Sequence, residues 1–274
     1  MLDGTTSRGR MRMGAASMVN YGLDMSGVEL DRALDDLVAE GDELDALVAA
    51  EDDWSKPTPA VGWTIAHQIA HLAAADANVL IALRAPEEFD AVLKQAEAAG
   101  SRYADLDAAA GAARPRSVLL EQWRAGRREV AARLRDVPAD QVFPWYGSQA
   151  DATLMVPLRL METWAHGQDV FDTLGVEHRP TNRLRHVALL GVMGRELSFH
   201  AAQLPPPAEP FRVELTGPDG ETWAWGPEDA AQRVQGSALD FCLRVTRRRP
   251  LAETGLTAVG QDARTWLDVA RVFL

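Results

Sequence analysis

The chain has 274 residues, and 40 acidic against 28 basic side chains give a net charge of −12, which argues against a protein built to bind nucleic acid. Hydrophobic residues make up 47% of the chain, enough for one or two compact domains, and the single cysteine excludes a disulfide framework. No segment approaches the roughly 20 consecutive apolar residues of a membrane span, and no secretory signal opens the chain, so we expect a cytoplasmic protein without membrane contact.

The first segment, residues 1–26, shows no helical period and is predicted to be a disordered leader. Ser26 is a suitable N-cap for the helix that follows. Met25 stands directly before it and is a candidate start residue.

Five segments with apolar residues spaced by three and four are predicted to be helices. They span residues 28–50, 64–83, 117–134, 157–175 and 182–202. Thr64 is the expected N-cap of the second, while Pro157 should be the first helical residue of the fourth and Gly175 should end it. The alanine-rich segment 85–116 has a poor period. Because no alternating strand pattern precedes residue 205, we predict an antiparallel helical bundle over 27–204.

A change of pattern follows the prolines at 205–207 and 210, which predict a stiff linker. Alternating residues on both sides of a turn at 217–220 predict a β-hairpin. The remaining elements are a helix over 237–246, a strand over 256–259 and a last helix over 263–273. Together they predict a small α+β domain over 211–274, with nearly balanced charge.

The residues that indicate chemistry lie on the second and fourth helices. Glu162 and His166 are four residues apart and therefore project from one helical face, where Asp169 continues the stripe. His67 and His71 have the same spacing, and a carboxylate and imidazoles at such spacing can share a metal. Two other interpretations stay open from spacing alone. Glu162 and His166 could be an exposed ion pair, and each histidine of the second helix could be a packed side chain bonded to a carbonyl.

The segment Trp63-Thr64-Ile65-Ala66-His67-Gln68-Ile69-Ala70-His71-Leu72, followed by Glu162-x-x-x-His166, resembles the DinB-like metal-binding bundles. It is most similar to the mycothiol-dependent maleylpyruvate isomerase family. The resemblance extends from about residue 28 to the end. The chain is also similar to a subgroup of these proteins whose C-terminal part is likened to a wyosine base formation domain. It implies a mainly α fold, a DinB-like helical bundle followed by a small α+β domain.

The resemblance also implies a site. His71, Glu162 and His166 match the metal ligands of the family, with zinc as the first choice and nickel, iron or manganese as alternatives. His67, Asp169 and Arg248 are candidates for supporting the ligands or contacting the substrate, and His67 is expected at the mouth of the site without ligating the metal. Three protein ligands leave a coordination position open, as in reactive sites.

The implied activity is a metal-dependent isomerisation, transfer or detoxification that uses a low-molecular-weight thiol such as mycothiol, with a small molecule as the other partner. Cys242 lies in an apolar segment and is expected to be an inert packing residue. One alternative is a non-catalytic metal-bearing binding or carrier protein. A role in RNA base modification is another, and the acidic charge argues against it.

The remaining candidates have simpler interpretations. Arg247, Arg248 and Arg249 could together bind a carboxylate, although a solvated helix end is the favoured interpretation. Trp223 and Trp225 are expected to be packing residues. The other three histidines, His178, His186 and His200, show no partner pattern and are assigned no chemical role.

Overall fold

The computed structural model describes residues 27–138, 140–146 and 148–272, with no side-chain description for 27–29. The predicted leader 1–26, with Met25 and Ser26, lies outside the described residues.

Four long helices form the predicted bundle. They are α1 (Gly27–Ala50), α2 (Ile65–Arg84), α5 (Arg116–Asp136) and α6 (Ala152–Leu174). Helices α1 and α2 each pack against both α5 and α6, which places α1 and α2 at opposite corners of the bundle. The α2–α6 contact is the one that matters for function, because these two helices carry the histidines and the carboxylate singled out above.

Segment 85–116, which has a poor helical period, forms two shorter helices against the bundle. They are α3 (Phe89–Ala99) and α4 (Tyr103–Ala112), joined by a 3-10 turn. The expectation of no strand before residue 205 was wrong. Strands β1 (Phe143–Trp145) and β2 (Ser148–Ala150) pair as an antiparallel hairpin that pairs Phe143 with Ala150. Each strand has three residues, too short for a period of two to show in the sequence.

Two predicted helix boundaries were wrong as well. Helix α6 begins at Ala152 because the Asp151 carboxylate accepts the Leu154 backbone N–H at 2.9 Å, so Pro157 is the sixth helical residue and not the first. The segment 182–202 forms two helices, α7 (Leu184–Met193) and α8 (Arg195–Ala201). They separate at Gly194, where a β-carbon would lie 3.3 Å from the backbone oxygen of Arg271.

The C-terminal part holds a four-stranded sheet in the order β4-β3-β5-β6. Its strands are β3 (Phe211–Thr216), β4 (Thr222–Trp225), β5 (Gln232–Ser237) and β6 (Thr257–Val259). The predicted hairpin is confirmed as β3–β4, and β5, which the sequence did not predict, runs parallel to β3. Its helices are α9 (Ala238–Val245), a 3-10 turn at Leu251–Glu253 and α10 (Gln261–Val269), which ends before the predicted residue 273.

Helix α9 contacts β5 on one side and α7 on the other, and so joins the sheet to the bundle. Trp223 and Trp225 are both buried, in agreement with a packing role. One continuous cluster of buried apolar side chains extends from α1 and α6 through α7 into this sheet and α9, so the core crosses from one part to the other. Among the described helices, none is long and apolar enough to cross a membrane.

Candidate metal centre

Three possible ligand side chains meet between α2 and α6. His71 comes from α2, Glu162 and His166 come from α6, and their ligand atoms all lie within 4.8 Å of one another. The Glu162 Oε2 atom is 3.3 Å from Nε2 of His71 and 3.3 Å from Nε2 of His166. The side chains are 19%, 19% and 11% exposed in chain order, so the cluster is shielded but still accessible.

The orientation of His166 is fixed by Gln68, one turn before His71 on α2. Gln68 Oε1 lies 2.5 Å from His166 Nδ1, and the Gln68 amide nitrogen donates to the Thr58 hydroxyl at 2.8 Å. Because an amide oxygen can only accept, His166 Nδ1 carries the proton and its Nε2 lone pair faces Glu162. The tautomer is therefore the one that a metal ligand needs.

The charges in the cluster suit a cation. Burial and the neighbouring His71 lower the pKa of His166 to about 3, so its imidazole is neutral near pH 7. Burial opposes ionisation of Glu162, but the two imidazoles beside it outweigh burial and hold the pKa of that carboxyl well below its usual range. The Glu162 carboxylate, the neutral imidazole of His166 and the imidazole of His71 together form a ligand set for a divalent metal.

The spacing of the atoms also fits. A tetrahedral metal about 2.0–2.1 Å from nitrogen and oxygen ligands keeps neighbouring ligand atoms about 3.3–3.4 Å apart. Both carboxylate–imidazole separations are 3.3 Å, which is long for a hydrogen bond. The residues present therefore fit a bound divalent ion.

A chain of hydrogen bonds connects this cluster with the C-terminal part. Gln68 also donates to Asp169 at 3.3 Å, and Arg248, which follows α9, binds Asp169 through Nη2 at 2.8 Å. Burial raises the pKa of Asp169, although Arg248 favours its charged form. Asp169 and Arg248, both predicted near the site, thus lie behind His166 and are joined to it by Gln68.

The three consecutive arginines do not act as one cluster. Arg248 pairs with Asp169, and Arg249 pairs with Asp172 at 2.9 Å. Arg247 is exposed and has a left-handed backbone, with φ 63°. Arg248 and Arg249 therefore already pair with different carboxylates, and Arg247 lines a separate pocket together with Arg249.

Trp63, in the loop before α2, forms a cover that the sequence did not predict as part of the site. Its ring stacks on His166 at 5.7 Å between centroids and lies 5.4 Å from His71. Its indole N–H donates to Asp105 at 2.7 Å, which anchors the ring to α4. Trp63 and Gln68 lie inside the segment that resembles the metal-binding family, which was the available signal for both.

His67 lies in the first turn of α2, where its Nδ1 accepts the Thr64 backbone N–H at 3.3 Å and is 2.8 Å from the Thr64 hydroxyl. It is thus part of the helix cap, and it is not among the three side chains whose ligand atoms converge.

We expect the His67→Ala variant to keep the metal content of the parent and to lose about 1 kcal/mol of unfolding free energy, since it removes a capping interaction. Elemental analysis together with urea unfolding measures both. Loss of metal as complete as in His71→Ala would make His67 a ligand and overturn this assignment.

A second histidine–carboxylate group lies on α1 and the loop after α6, made of Glu40, Glu43 and His178. The Arg183 guanidinium binds both carboxylates, with Nε 2.6 Å from Glu40. His178 is buried, 3.1 Å from Glu40, and stacks on Phe171. Because one guanidinium already binds both carboxylates, we interpret this group as a largely buried ion-pair network.

The other histidines lie away from the cluster. His186 pairs with Asp36 at 3.0 Å, and His200 is exposed. Cys242 is fully buried in α9, and burial raises the pKa of its thiol well above the ordinary value. A thiolate is therefore disfavoured there.

A cavity of about 320 Å³ opens directly beside His71 and Glu162. The β1–β2 hairpin supplies Trp145 and Tyr146 to its wall, and α4 supplies Tyr103. The two parts of the bundle with the weakest sequence signal therefore shape the space next to the candidate metal site.

Comparison with known proteins shows similarity along most of the chain. The family model for the mycothiol maleylpyruvate isomerase N-terminal domain matches residues 37–171, and the model for wyosine base formation matches 207–259. Two uncharacterized proteins from strains of Mycobacterium tuberculosis, Rv0036c and MT0041, are each 49% identical over 240 residues, covering 87% of this chain and 93% of theirs.

Two solved structures share the fold. The crystal structure of the mycothiol-dependent maleylpyruvate isomerase matches with a TM-score of 0.57 at 15% identity, covering 84% of this chain and 92% of that one. A histidine-to-alanine mutant of that isomerase matches with a TM-score of 0.55 at 16% identity and the same coverage. The expected helical bundle with a C-terminal α+β part is thus confirmed.

Proposed function

This chain belongs to the mycothiol maleylpyruvate isomerase-like family, and we propose that it is a divalent-metal protein that uses a low-molecular-weight thiol for isomerisation, transfer or detoxification. The observation that carries the proposal is the convergence of three ligand atoms from two helices, with His166 held in the ligating tautomer by Gln68. Zinc is the first choice by ligand type, and nickel, iron and manganese are alternatives.

The proposed chemistry needs an open coordination position. Three protein ligands leave at least one position for a substrate atom, and a metal bound there would lower the pKa of an incoming thiol. The chain supplies Gln68 to keep the proton on His166 Nδ1 and Trp63 to shield one side of both imidazoles from water. Since Cys242, the single cysteine, is buried in α9, an external thiol such as mycothiol is the proposed nucleophile.

Two alternatives have support. A carrier that binds metal and thiol without turnover would use the same residues. The match to a wyosine base formation model over residues 207–259 favours a role in RNA modification. Against it, Arg248 and Arg249 of this part pair with Asp169 and Asp172, and the net charge of the chain is −12. A cytoplasmic location stays a prediction.

Zinc-loaded protein titrated with mycothiol in a calorimeter should show saturable binding at about one site per chain, and the metal-free protein should bind at least about 10-fold more weakly. Turnover is then measured with maleylpyruvate and a panel of electrophiles. Thiol binding without turnover would favour the carrier. A metal-loaded protein that binds no thiol would contradict the thiol mechanism and leave metal-activated water as the remaining catalytic chemistry.

A further inference from the structure

We propose that a second cavity, in the C-terminal part of the chain, is a binding site for a phosphate monoester, held by Arg247 and Arg271. The cavity has a volume of about 480 Å³ and lies where the ends of α9 and α10 meet. Among the described residues, none that lines it also lines the cavity beside His71 and Glu162. The two sites are therefore separate, and ligand binding here does not depend on the proposed function.

The cavity carries a surplus of positive charge in an acidic chain. The charged side chains among its described lining residues are Arg244, Arg247, Arg249, Arg271 and Asp268. Asp172 of α6 pairs with Arg249 from outside the cavity, which leaves a surplus of two positive charges. Burial lowers the pKa of Arg244, and the charges of Arg247 and Arg271 lower it further. These three guanidinium groups repel one another, and an anion between them would offset that repulsion.

Two of the four guanidinium groups are already bound by the protein. Arg244 donates from Nε and Nη2 to two carbonyl oxygens near the end of α10, at 2.8 and 2.6 Å. Arg249 donates to both carboxylate oxygens of Asp172. In the described part of the chain no carboxylate pairs with Arg247 or Arg271, and the buried Nε of Arg271 has no hydrogen-bond partner. Arg247 and Arg271 are therefore the side chains that can bind an added anion.

The backbone of Arg247 favours glycine. Its φ is 63°, its N–H donates to the Arg244 carbonyl at 3.0 Å, and the next N–H donates to the Leu243 carbonyl at 2.8 Å. These bonds form the motif that ends many helices with a left-handed glycine, and a β-carbon in that conformation reduces stability. The Arg247 side chain is also exposed and forms no ion pair with a described residue. Stability and packing therefore do not explain an arginine at this position, whereas anion binding does.

The chemistry of the cavity selects a phosphate monoester among anions. A phosphate monoester carries a charge of about −1.5 to −2 near pH 7 and three strong acceptor oxygens, which match two surplus charges and the forked donors of arginine. A carboxylate or a sulfate ester carries one charge. The rest of the wall is apolar and consists of Pro250, Leu251, Val269 and Ala270. The volume also leaves room beside the phosphate for the organic part of a small molecule.

The test compares phenyl phosphate with phenyl sulfate, which have similar shapes and differ in charge at about pH 7.5. Binding to the full chain is measured by calorimetry at low ionic strength. We expect phenyl phosphate to bind at one site per chain and at least about 5-fold more tightly than phenyl sulfate. Removal of any metal with a chelator should leave both affinities unchanged. Loss of binding after chelation would place the phosphate at the metal centre and overturn the proposal.

Two variants locate the site. Arg247→Gly should weaken phenyl phosphate binding at least about 10-fold, because a charged donor is lost. Its urea unfolding midpoint should equal or exceed that of the parent, since glycine fits the left-handed backbone. Arg179→Gly removes the same charge from an exposed loop residue outside the cavity and should leave the affinity within about 2-fold of the parent.

The remaining outcomes would each contradict the site. They are equal or tighter binding of phenyl sulfate, no binding of phenyl phosphate, an unchanged affinity in Arg247→Gly, and an equal loss in Arg179→Gly. A six-residue oligoribonucleotide without terminal phosphates tests RNA as the ligand, because each of its phosphodiesters carries one charge. We expect it to bind more weakly than phenyl phosphate. Tighter binding that is lost in Arg247→Gly would assign the cavity to RNA and overturn the proposal of a monoester.

Discussion

Alanine at His71, Glu162 or His166 is expected to reduce the metal content of the purified protein from about one divalent ion per chain to near zero. With three protein ligands, each replacement leaves only two, and no further histidine, cysteine, aspartate or glutamate of the described residues belongs to this cluster. Removing the partner of a ligand alone typically weakens metal affinity 10- to 100-fold, so removing a ligand should exceed about 100-fold.

Two variants calibrate the result. Gln68→Ala keeps all three ligands but removes the hydrogen bond that accepts the His166 Nδ1 proton. It should therefore weaken metal binding by about 10- to 100-fold without abolishing it. His186→Ala removes a part-buried imidazole that pairs with Asp36 away from the cluster, and it should leave the metal content unchanged. Elemental analysis and competition with a chelator measure both. If the three ligand variants keep the metal content of the parent, the proposed site is wrong.

Replacing Arg159 by methionine is expected to lower the free energy of unfolding by about 3–5 kcal/mol. Arg159 and Asp76 are 2% and 4% exposed, with Nε and Oδ1 3.0 Å apart, so the change leaves a buried carboxylate without its cation. Urea unfolding of the parent and the variant at equal metal content gives the difference.

The loss should depend on pH in a defined direction. Burial already raises the pKa of Asp76 in the folded protein, and Arg159 opposes that rise. Without Arg159 the folded pKa moves further up, so the folded state binds a proton that the unfolded state releases, and stability falls as pH rises through that interval. The Arg159→Met variant should therefore lose less stability at about pH 5 than at about pH 8.

A double replacement provides the control. Asp76→Leu combined with Arg159→Met removes both charges and should recover most of the loss, because buried apolar side chains of similar size need no partner. A double variant as unstable as Arg159→Met alone would show that packing around Arg159, and not the ion pair, determines the stability there.

The parts of the site that could be predicted are those set by the helical period. Four residues separate Glu162 from His166, so any helix through this segment brings them to one face, and the resemblance of 63–72 to the metal-binding family added His71. No spacing rule predicts the role of Gln68, because that role depends on the particular side chain, His166 of α6, that its amide contacts.

The parts of the fold that could not be predicted depend on contacts between distant segments. The hairpin of β1 and β2 contacts α3 through the stacking of Trp145 on Phe89, a contact between distant residues that the sequence pattern does not reveal. Pro157 resembles a first helical residue, and only the Asp151 cap shows that the helix began earlier. Strand β5 is hidden because Gln232, Arg233 and Gln235 surround its one large apolar residue, Val234, and its place in the sheet comes from β3 and β6.

The ion pair between Arg248 and Asp169 makes it unfavourable to replace the C-terminal part of this chain by that of an unrelated protein. Asp169 is 3% exposed, and an unrelated C-terminal part would leave its buried carboxylate without a guanidinium, in direct contact with the Gln68 amide that orients His166. An evolutionary recombination at the proline linker would therefore have to bring a guanidinium to the same point. The linker separates two segments of the sequence, but stabilising interactions cross it. We therefore expect the two segments to be inherited as one unit.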